Sequence, residues 1–239
     1  MPIADRLSII KGVPTVLLVR HGQASFGAED YDVLSPTGVR QSEVLAAALK
    51  RRGIAPSHLV CGSLRRQSET ALPFAEYGEA VIDPRWDEYD ANEILTHHAE
   101  TNVRLDATGG HAADGPPELT SKGFQAVIEP ALAGWIEAGH ESPSQNTWPL
   151  FAAAGSAALD DLKGALGRGE TALVFTSGGT IAALCAALLE APGAFLALNR
   201  VLANTGVSKL TIGAFGTSLV SINDHSHLEE VDRALITYR

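Results

Sequence analysis

The sequence predicts an α/β fold: a mostly parallel central sheet flanked by helices, with an antiparallel hairpin at its C-terminal edge. Three observations carry this expectation. Short apolar runs at residues 15–19 (TVLLV), 58–61 (HLVC) and 171–176 (TALVFT) each pass through a brief polar or glycine-rich turn into helix-forming sequence. Strands alternating with helices over short connections are the pattern of βα units. The runs are continuously apolar instead of alternating, which suits strands buried on both faces. Near the end, residues 206–212 and 218–222 flank Gly213-Ala214-Phe215-Gly216, the pattern of a hairpin.

Taken in order, residues 15–19 form a buried strand that stops abruptly at Arg20-His21-Gly22. Ser35-Pro36 opens a helix, because proline at the first helical position forfeits no hydrogen bond. Val39, Leu45, Ala46 and Leu49 mark its apolar face, and Arg51-Arg52-Gly53 its end. After the strand at residues 58–61, a helix starts near Leu64 and stops around Pro73. Residues 86–150 are less regular, with Gly109-Gly110, Pro116-Pro117, a helix over 121–137 and a loop over 142–149. A long helix over 149–166 follows. This middle section reads as an insertion over the sheet edge, so residues 1–239 form a single domain with about 86–150 as an inserted cap. The strand at 171–176 then turns through Ser177-Gly178-Gly179 into an apolar helix over 180–189.

Composition narrows the function. The chain has 239 residues, 45% hydrophobic and 19% charged, enough for one sizeable core. Lys and Arg number 18 against 28 Asp and Glu, a net charge of −10 that disfavours nucleic acid or anionic lipid as partners. A small anionic substrate needs only a local cluster of positive charge. The two cysteines, Cys61 and Cys185, fit a reducing compartment. The N-terminal stretch lacks a basic n-region, and the apolar run 181–189 is about half the ~20 residues of a membrane span. A cytoplasmic protein without a membrane partner is expected.

Charged residues at the mouth of a buried strand need a reason. Ligands of open α/β sheets bind at the carboxyl ends of the strands, where Arg20-His21 is expected. A guanidinium offers a planar fork to phosphate oxygens. A neutral imidazole can attack phosphorus when a backbone acceptor holds its other nitrogen. Snorkelling of the pair to water is the alternative.

The pair is accompanied by Leu34-Ser35-Pro36-Thr37-Gly38 and Gln41, then by Gly62-Ser63-Leu64-Arg65-Arg66-Gln67-Ser68-Glu69-Thr70-Ala71. With these motifs the sequence resembles the histidine phosphatase superfamily, the group of phosphoglycerate mutase and acid phosphatases. Arg20-His21-Gly22 matches the motif that holds the phosphorylated histidine, and the second block is similar to S-x-L-x-R-A-x-Q-T-A. Anchored on Thr70-Ala71, that pattern places its arginine at Arg66 and leaves Arg65 as a rim residue. Trp86-Asp87-Glu88-Tyr89 looks like the L-x-E segment whose glutamate protonates the leaving group, which implies Glu88 with Asp87 and Asp90 as rivals. Asn223-Asp224-His225-Ser226-His227-Leu228 looks like the N-D-x-x-H-L ending.

One departure stands out. A late strand in the family leads into V-S-H-G-G-x-I with a second catalytic histidine, whereas this chain reads Phe175-Thr176-Ser177-Gly178-Gly179-Thr180-Ile181. Ser177 takes the histidine's position. It can cap the next helix, and with Gly178 it offers a helix N-terminus to phosphate, while His225 or His227 is a possible replacement for the missing imidazole. The resemblance implies a phosphatase that hydrolyses a small phosphomonoester through a phosphohistidine. His21 would be the nucleophile, Glu88 the acid, and Arg20, Arg66, Ser177 and Gly178 the phosphate ligands, with no cofactor. Alternatives are a weakened phosphate-binding member and a phosphoglycerate mutase, the latter disfavoured by Gly27 where the mutase signature has asparagine. A serine hydrolase using Ser177, with Asp224 and His227 in the right chain order, is the remote alternative. His97, His98 and His111 lack metal-ligand spacing, so no metal is expected.

Overall fold

The computed structural model describes residues 12–25, 32–99 and 121–238. Gly27, Gly109-Gly110, His111 and Pro116-Pro117 lie outside the described residues. The expected apolar runs become strands β1 (Thr15–Arg20), β2 (His58–Cys61) and β4 (Thr171–Thr176), a short β3 (Val81–Ile82) joins them, and the hairpin β5 (Val207–Gly213) and β6 (Gly216–Asp224) follows. They form a six-stranded sheet in the order β3-β2-β4-β1-β5-β6. β3, β2, β4 and β1 pair in parallel, whereas β5 is antiparallel to both β1 and β6.

Alternation along the strands divides the core. Leu17, Val19, Leu59, Cys61, Leu173 and Phe175 face one layer, where they meet Leu45, Leu49 and Phe74. Val16, Leu18, Val60, Ala172 and Val174 face the other. The first layer holds helices α1 (Pro36–Arg51) and α2 (Arg65–Ala71). The second is filled by α3 (Ala91–His98), α4 (Ser121–Ala138), α5 (Trp148–Ala165), α6 (Gly178–Leu188) and α7 (Ala194–Val201). Trp86, Tyr89, Ile94, Leu95, Ile128, Leu132 and Trp135 join the core of the central strands, so the described parts of the middle section pack on this face of the sheet. A short helix α8 (Ser226–Glu229) follows β6.

Helix α1 starts as its sequence predicts. Ser35 Oγ accepts from Gly38 N at 3.1 Å, Pro36 sits in the first turn, and Lys50 and Arg51 meet the negative end of the dipole. Its inner face differs from the expected one. Val39 is exposed, and Gly38, Gln41, Ser42, Val44, Leu45, Ala48 and Leu49 are buried. The face turns because Gly38 lies against the backbone of Gln23, where a Cβ would collide, and this brings Gln41 inward.

Register sets the working edge of the sheet. Arg20 pairs with Thr176, and Cys61 with Phe175. The carboxyl ends of β1, β2 and β4 are therefore level, and the turns after them converge at one place.

Candidate active site

His21 follows β1, is 5% exposed, and anchors its backbone N–H on Thr176 O at 2.8 Å. Its tautomer follows from its neighbours. Nδ1 lies 2.7 Å from Gly22 O, a pure acceptor, so Nδ1 carries the proton. Nε2 receives Arg66 Nε–H at 3.2 Å, a pure donor, so Nε2 presents its lone pair. Burial, then Arg66 and Arg20, push the His21 pKa well below its ordinary value against the pull of Gly22. The ring is thus a neutral imidazole with one nitrogen held by a backbone acceptor and the other presenting its lone pair.

The loop carrying His21 is held from several sides. Gly22 N donates to Thr70 Oγ1 at 2.9 Å, and a Cβ on Gly22 would lie 2.6 Å from Gly38 O. Gln23 N donates to Gln41 Oε1 at 2.8 Å, and Asn204 Nδ2 donates to His21 O at 3.0 Å. The C-terminal segment ties into the same network. Thr237 Oγ1 bridges Gln41 Nε2 and Asn204 Oδ1, at 2.8 and 2.9 Å.

Arg66 is the inward arginine of its pair, 9% exposed, with Nη1 on Asp32 Oδ1 at 2.6 Å. Arg65 is exposed and pairs with Glu69 at 3.2 Å, the rim position expected of it. Arg20 Nη1 donates to Tyr238 O at 2.7 Å and also to Leu202 O.

The three neighbouring carboxylates separate cleanly. Asp87 accepts from Ser63 N at 2.6 Å and also from Ser63 Oγ, which fastens the turn after β2. Asp90 caps α3, accepting from Asn92 N and Glu93 N at 2.8 and 3.0 Å. Glu88 Oε2 instead accepts from Gly179 N at 3.1 Å, at the N-terminus of α6. Burial raises the Glu88 pKa, opposed by the Gly179 N–H, Arg66, Arg20 and the Tyr89 N–H. Glu88 thus lies where both arginines act on it, and its burial favours the protonated carboxyl.

Ser177 is fully buried at the end of β4, and Gly178 packs close to Arg20 and Asn199. The expected side-chain cap is corrected here: Ser177 Oγ makes no capping bond to α6 and accepts from Gln67 Nε2 at 2.8 Å. The serine-hydrolase arrangement has no Ser–His contact to support it among the described residues, since His227 Nε2 lies 3.1 Å from Thr205 Oγ1. Burial also lowers the His227 pKa to about 4, so near neutral pH it brings no positive charge. His225 Nδ1 donates to Asn223 O at 2.7 Å. Both histidines are engaged in the β6–α8 turn and its neighbour Thr205. No cluster of three potential metal ligands occurs among the described residues.

Comparison with known proteins decides the family. The model for the histidine phosphatase superfamily (branch 1) matches residues 16–131 and 119–225. This chain belongs to the histidine phosphatase superfamily. No curated protein matches it. Among solved structures it is similar to the phosphoserine phosphatase of Entamoeba histolytica, with 19% identity, a TM-score of 0.62, and 90% of this chain and 99% of that one covered. It is also similar to a mycobacterial glucosyl-3-phosphoglycerate phosphatase, with 23% identity, a TM-score of 0.56, and coverage of 87% and 98%. A third similar structure is Bacillus stearothermophilus YhfR, with 18% identity, a TM-score of 0.61, and coverage of 90% and 99%. No helix among the described residues is long and apolar enough to cross a membrane.

Sequence reasoning missed several supports of this superfamily site. Asp32, Asn204 and Thr237 act through side chains distant in sequence from the groups they hold, and none belongs to a recognisable motif. Gln41 was visible in the motif, but its downward turn into the network depends on Gly38.

Proposed function

We propose that this chain hydrolyses a small phosphomonoester through a phosphohistidine on His21. The observation that carries the reading is the His21 ring, with Nδ1 fixed by Gly22 O and the Nε2 lone pair facing the Arg66 guanidinium. When a phosphoryl group enters, its oxygens take up N–H groups of Arg66 and Arg20, and Nε2 attacks phosphorus in line. The P–N bond forms as the ester P–O bond breaks, and the Glu88 carboxyl gives its proton to the departing oxygen. In the second half Glu88 accepts a proton from water, whose oxygen attacks phosphorus, and the P–N electron pair returns to Nε2. Positioning and charge stabilisation account for most of such a rate enhancement, so the residues themselves suffice for the steps described. The phosphatases to which the chain is similar support hydrolysis over transfer to a second acceptor.

Rapid quench with a labelled phosphomonoester should leave an acid-labile, base-stable label on the protein. His21→Ala should lose both label and turnover while its melting temperature holds. Undiminished hydrolysis in that variant overturns the mechanism. Ser177 favours a second reading, a phosphate-binding member with little turnover; it predicts phosphate binding by the parent without a label.

A further inference from the structure

The C-terminal residues are fastened to the site by hydrogen bonds whose donors and acceptors can be assigned. Asn204 Nδ2 donates to His21 O at 3.0 Å, so its Oδ1 is turned to Thr237 Oγ1 at 2.9 Å, and Thr237 is the donor there. Gln41 Oε1 accepts from Gln23 N at 2.8 Å, so its Nε2 is the side that donates to Leu235 O and Thr237 Oγ1, at 2.7 and 2.8 Å. Thr237 O also accepts from Asn204 N at 2.8 Å. Thr237 is thus attached at two points, carbonyl and hydroxyl, to a fully buried Asn204. A buried polar network satisfied in this way is rigid.

This attachment fixes where the next carbonyl, that of Tyr238, stands. It accepts from Arg20 Nη1 at 2.7 Å, and Leu202 O accepts from the same nitrogen. Nη1 carries two hydrogens, so both are committed to backbone carbonyls. A guanidinium grips two oxygens of one group through a parallel pair of N–H bonds, and the pair that does not involve Nη1 is Nε–H with Nη2–H. The Nε side lies at the end of the sheet where His21 and Glu88 sit: Arg20 Nε is 3.5 Å from the position of a Cβ on Gly178, the first residue of α6. The same positive charge depresses the His21 pKa and opposes the rise at Glu88. The backbone of Arg20 is held from the same loop, since Thr205 N donates to Arg20 O at 3.0 Å. Thr205 does so at φ 55°, a left-handed conformation that a β-branched residue keeps only where its surroundings impose it.

We infer that residues 233–238 form a strap that aims Arg20: the Tyr238 carbonyl, placed by Thr237 and Asn204, holds Nη1 aside so that the Nε–Nη2 edge meets the phosphoryl group. Thr237 and Asn204 are then positioning residues, and Arg20 is the group that touches substrate. The inference rests on the proposed phosphatase reading.

The test uses the full chain and the variants Thr237→Val, Thr237→Ser, Arg20→Lys and Arg20→Lys/Thr237→Val. Thr237→Val keeps the shape of the side chain and loses its hydroxyl. Inorganic phosphate binding, read by calorimetry without turnover, should weaken about 5- to 10-fold, in the range of one hydrogen bond to a charged group, and Thr237→Ser should restore it. KM for p-nitrophenyl phosphate should rise by a similar factor with kcat changing less, because the contact is made in ground and transition states alike. In the Arg20→Lys background, Thr237→Val should change phosphate affinity by less than about twofold, since an ammonium has no edge to aim. A merely structural role would give the same loss in both backgrounds. A chain ending at Leu235 lacks the Tyr238 carbonyl altogether and should match Thr237→Val, which decides the matter if that variant is unstable. Unchanged phosphate affinity, or equal losses with arginine and with lysine at position 20, overturns the inference. Tighter binding overturns it too, since the carbonyl would then compete with phosphate, and so does loss of folding in both Thr237→Val and the shortened chain. Turnover by His21→Ala instead overturns the phosphatase mechanism and leaves the affinity results untouched, so the two failures are distinguishable.

Discussion

Gly179→Ala offers a sharp test of where the acid sits. Gly179 lies in the first turn of α6, and its N–H donates to Glu88 Oε2 at 3.1 Å. Its φ is not positive, so alanine suits the backbone, and helix propensity alone favours alanine by about 1 kcal/mol. The obstacle is steric. The new Cβ would lie 2.5 Å from Tyr89 Cε1 and closer still to Glu88 Oε1, whereas ordinary contacts begin near 3.4 Å. The Glu88 carboxyl must move by roughly 1 Å, a misplacement that costs on the order of a hundredfold in a positioned reaction. The loss should depend on the leaving group, because an acid matters most for a poor one. We expect kcat on an alkyl phosphate to fall by about a hundredfold and kcat on p-nitrophenyl phosphate to change much less. The assay is steady-state kinetics on both substrates, with thermal melting as a check on the fold. Equal losses on the two substrates, or an undiminished alkyl phosphatase, would refute the placement of Glu88 as the acid.

Two further outcomes follow from the same geometry. Asp32→Asn removes the carboxylate that holds Arg66 Nη1 at 2.6 Å, and should raise KM and the inhibition constant of vanadate by about 3- to 10-fold, read in the same steady-state assay; unchanged values of both would sever Asp32 from the phosphate site. His227 has its pKa lowered to about 4 in the fold, from an ordinary 6.5, chiefly by burial. The unfolded chain therefore binds the extra proton first as pH falls, and this contribution is fully present above pH 6.5 and lost between 6.5 and 4. Denaturant titrations at pH 7 and pH 4 should show the parent losing up to about 3 kcal/mol more than His227→Gln, which can keep a bond to Thr205. Equal losses in the two proteins would refute the assignment.

The sheet and the position of His21 at the end of its first strand were legible because each is written locally. Residues 15–19 and 171–176 are uninterrupted apolar runs, and they became adjacent central strands with Arg20 beside Thr176. The hairpin was legible from its glycine-flanked turn, and Arg66 was separated from Arg65 by the spacing to Thr70-Ala71 alone. What stayed hidden depends on groups brought together over long stretches of chain. The inner face of α1 was misjudged at Val39 because periodicity could not foresee that Gly38 must pass against Gln23. The capping role expected of Ser177 failed for a similar reason: a residue 110 positions away supplies its partner.

That last failure bears on how the site is read. A serine where the family has histidine looks, in isolation, like a weakened enzyme, since the lost imidazole is a strong donor and nothing nearby in sequence replaces it. Gln67 sits in a motif where it would be passed over as a tolerated change, and Gly62 as a loop glycine. Only the fold shows what these positions meet: a Cβ on Gly62 would collide with both Gln67 Oε1 and Asp87 Oδ1, and Gln67 Nε2 donates to Ser177 Oγ and to the Trp86 carbonyl, which Thr176 Oγ1 also supports. Positions in direct contact are the ones at which substitutions couple, so the cost of exchanging Ser177 is set in part by Gln67 and cannot be read from position 177 alone.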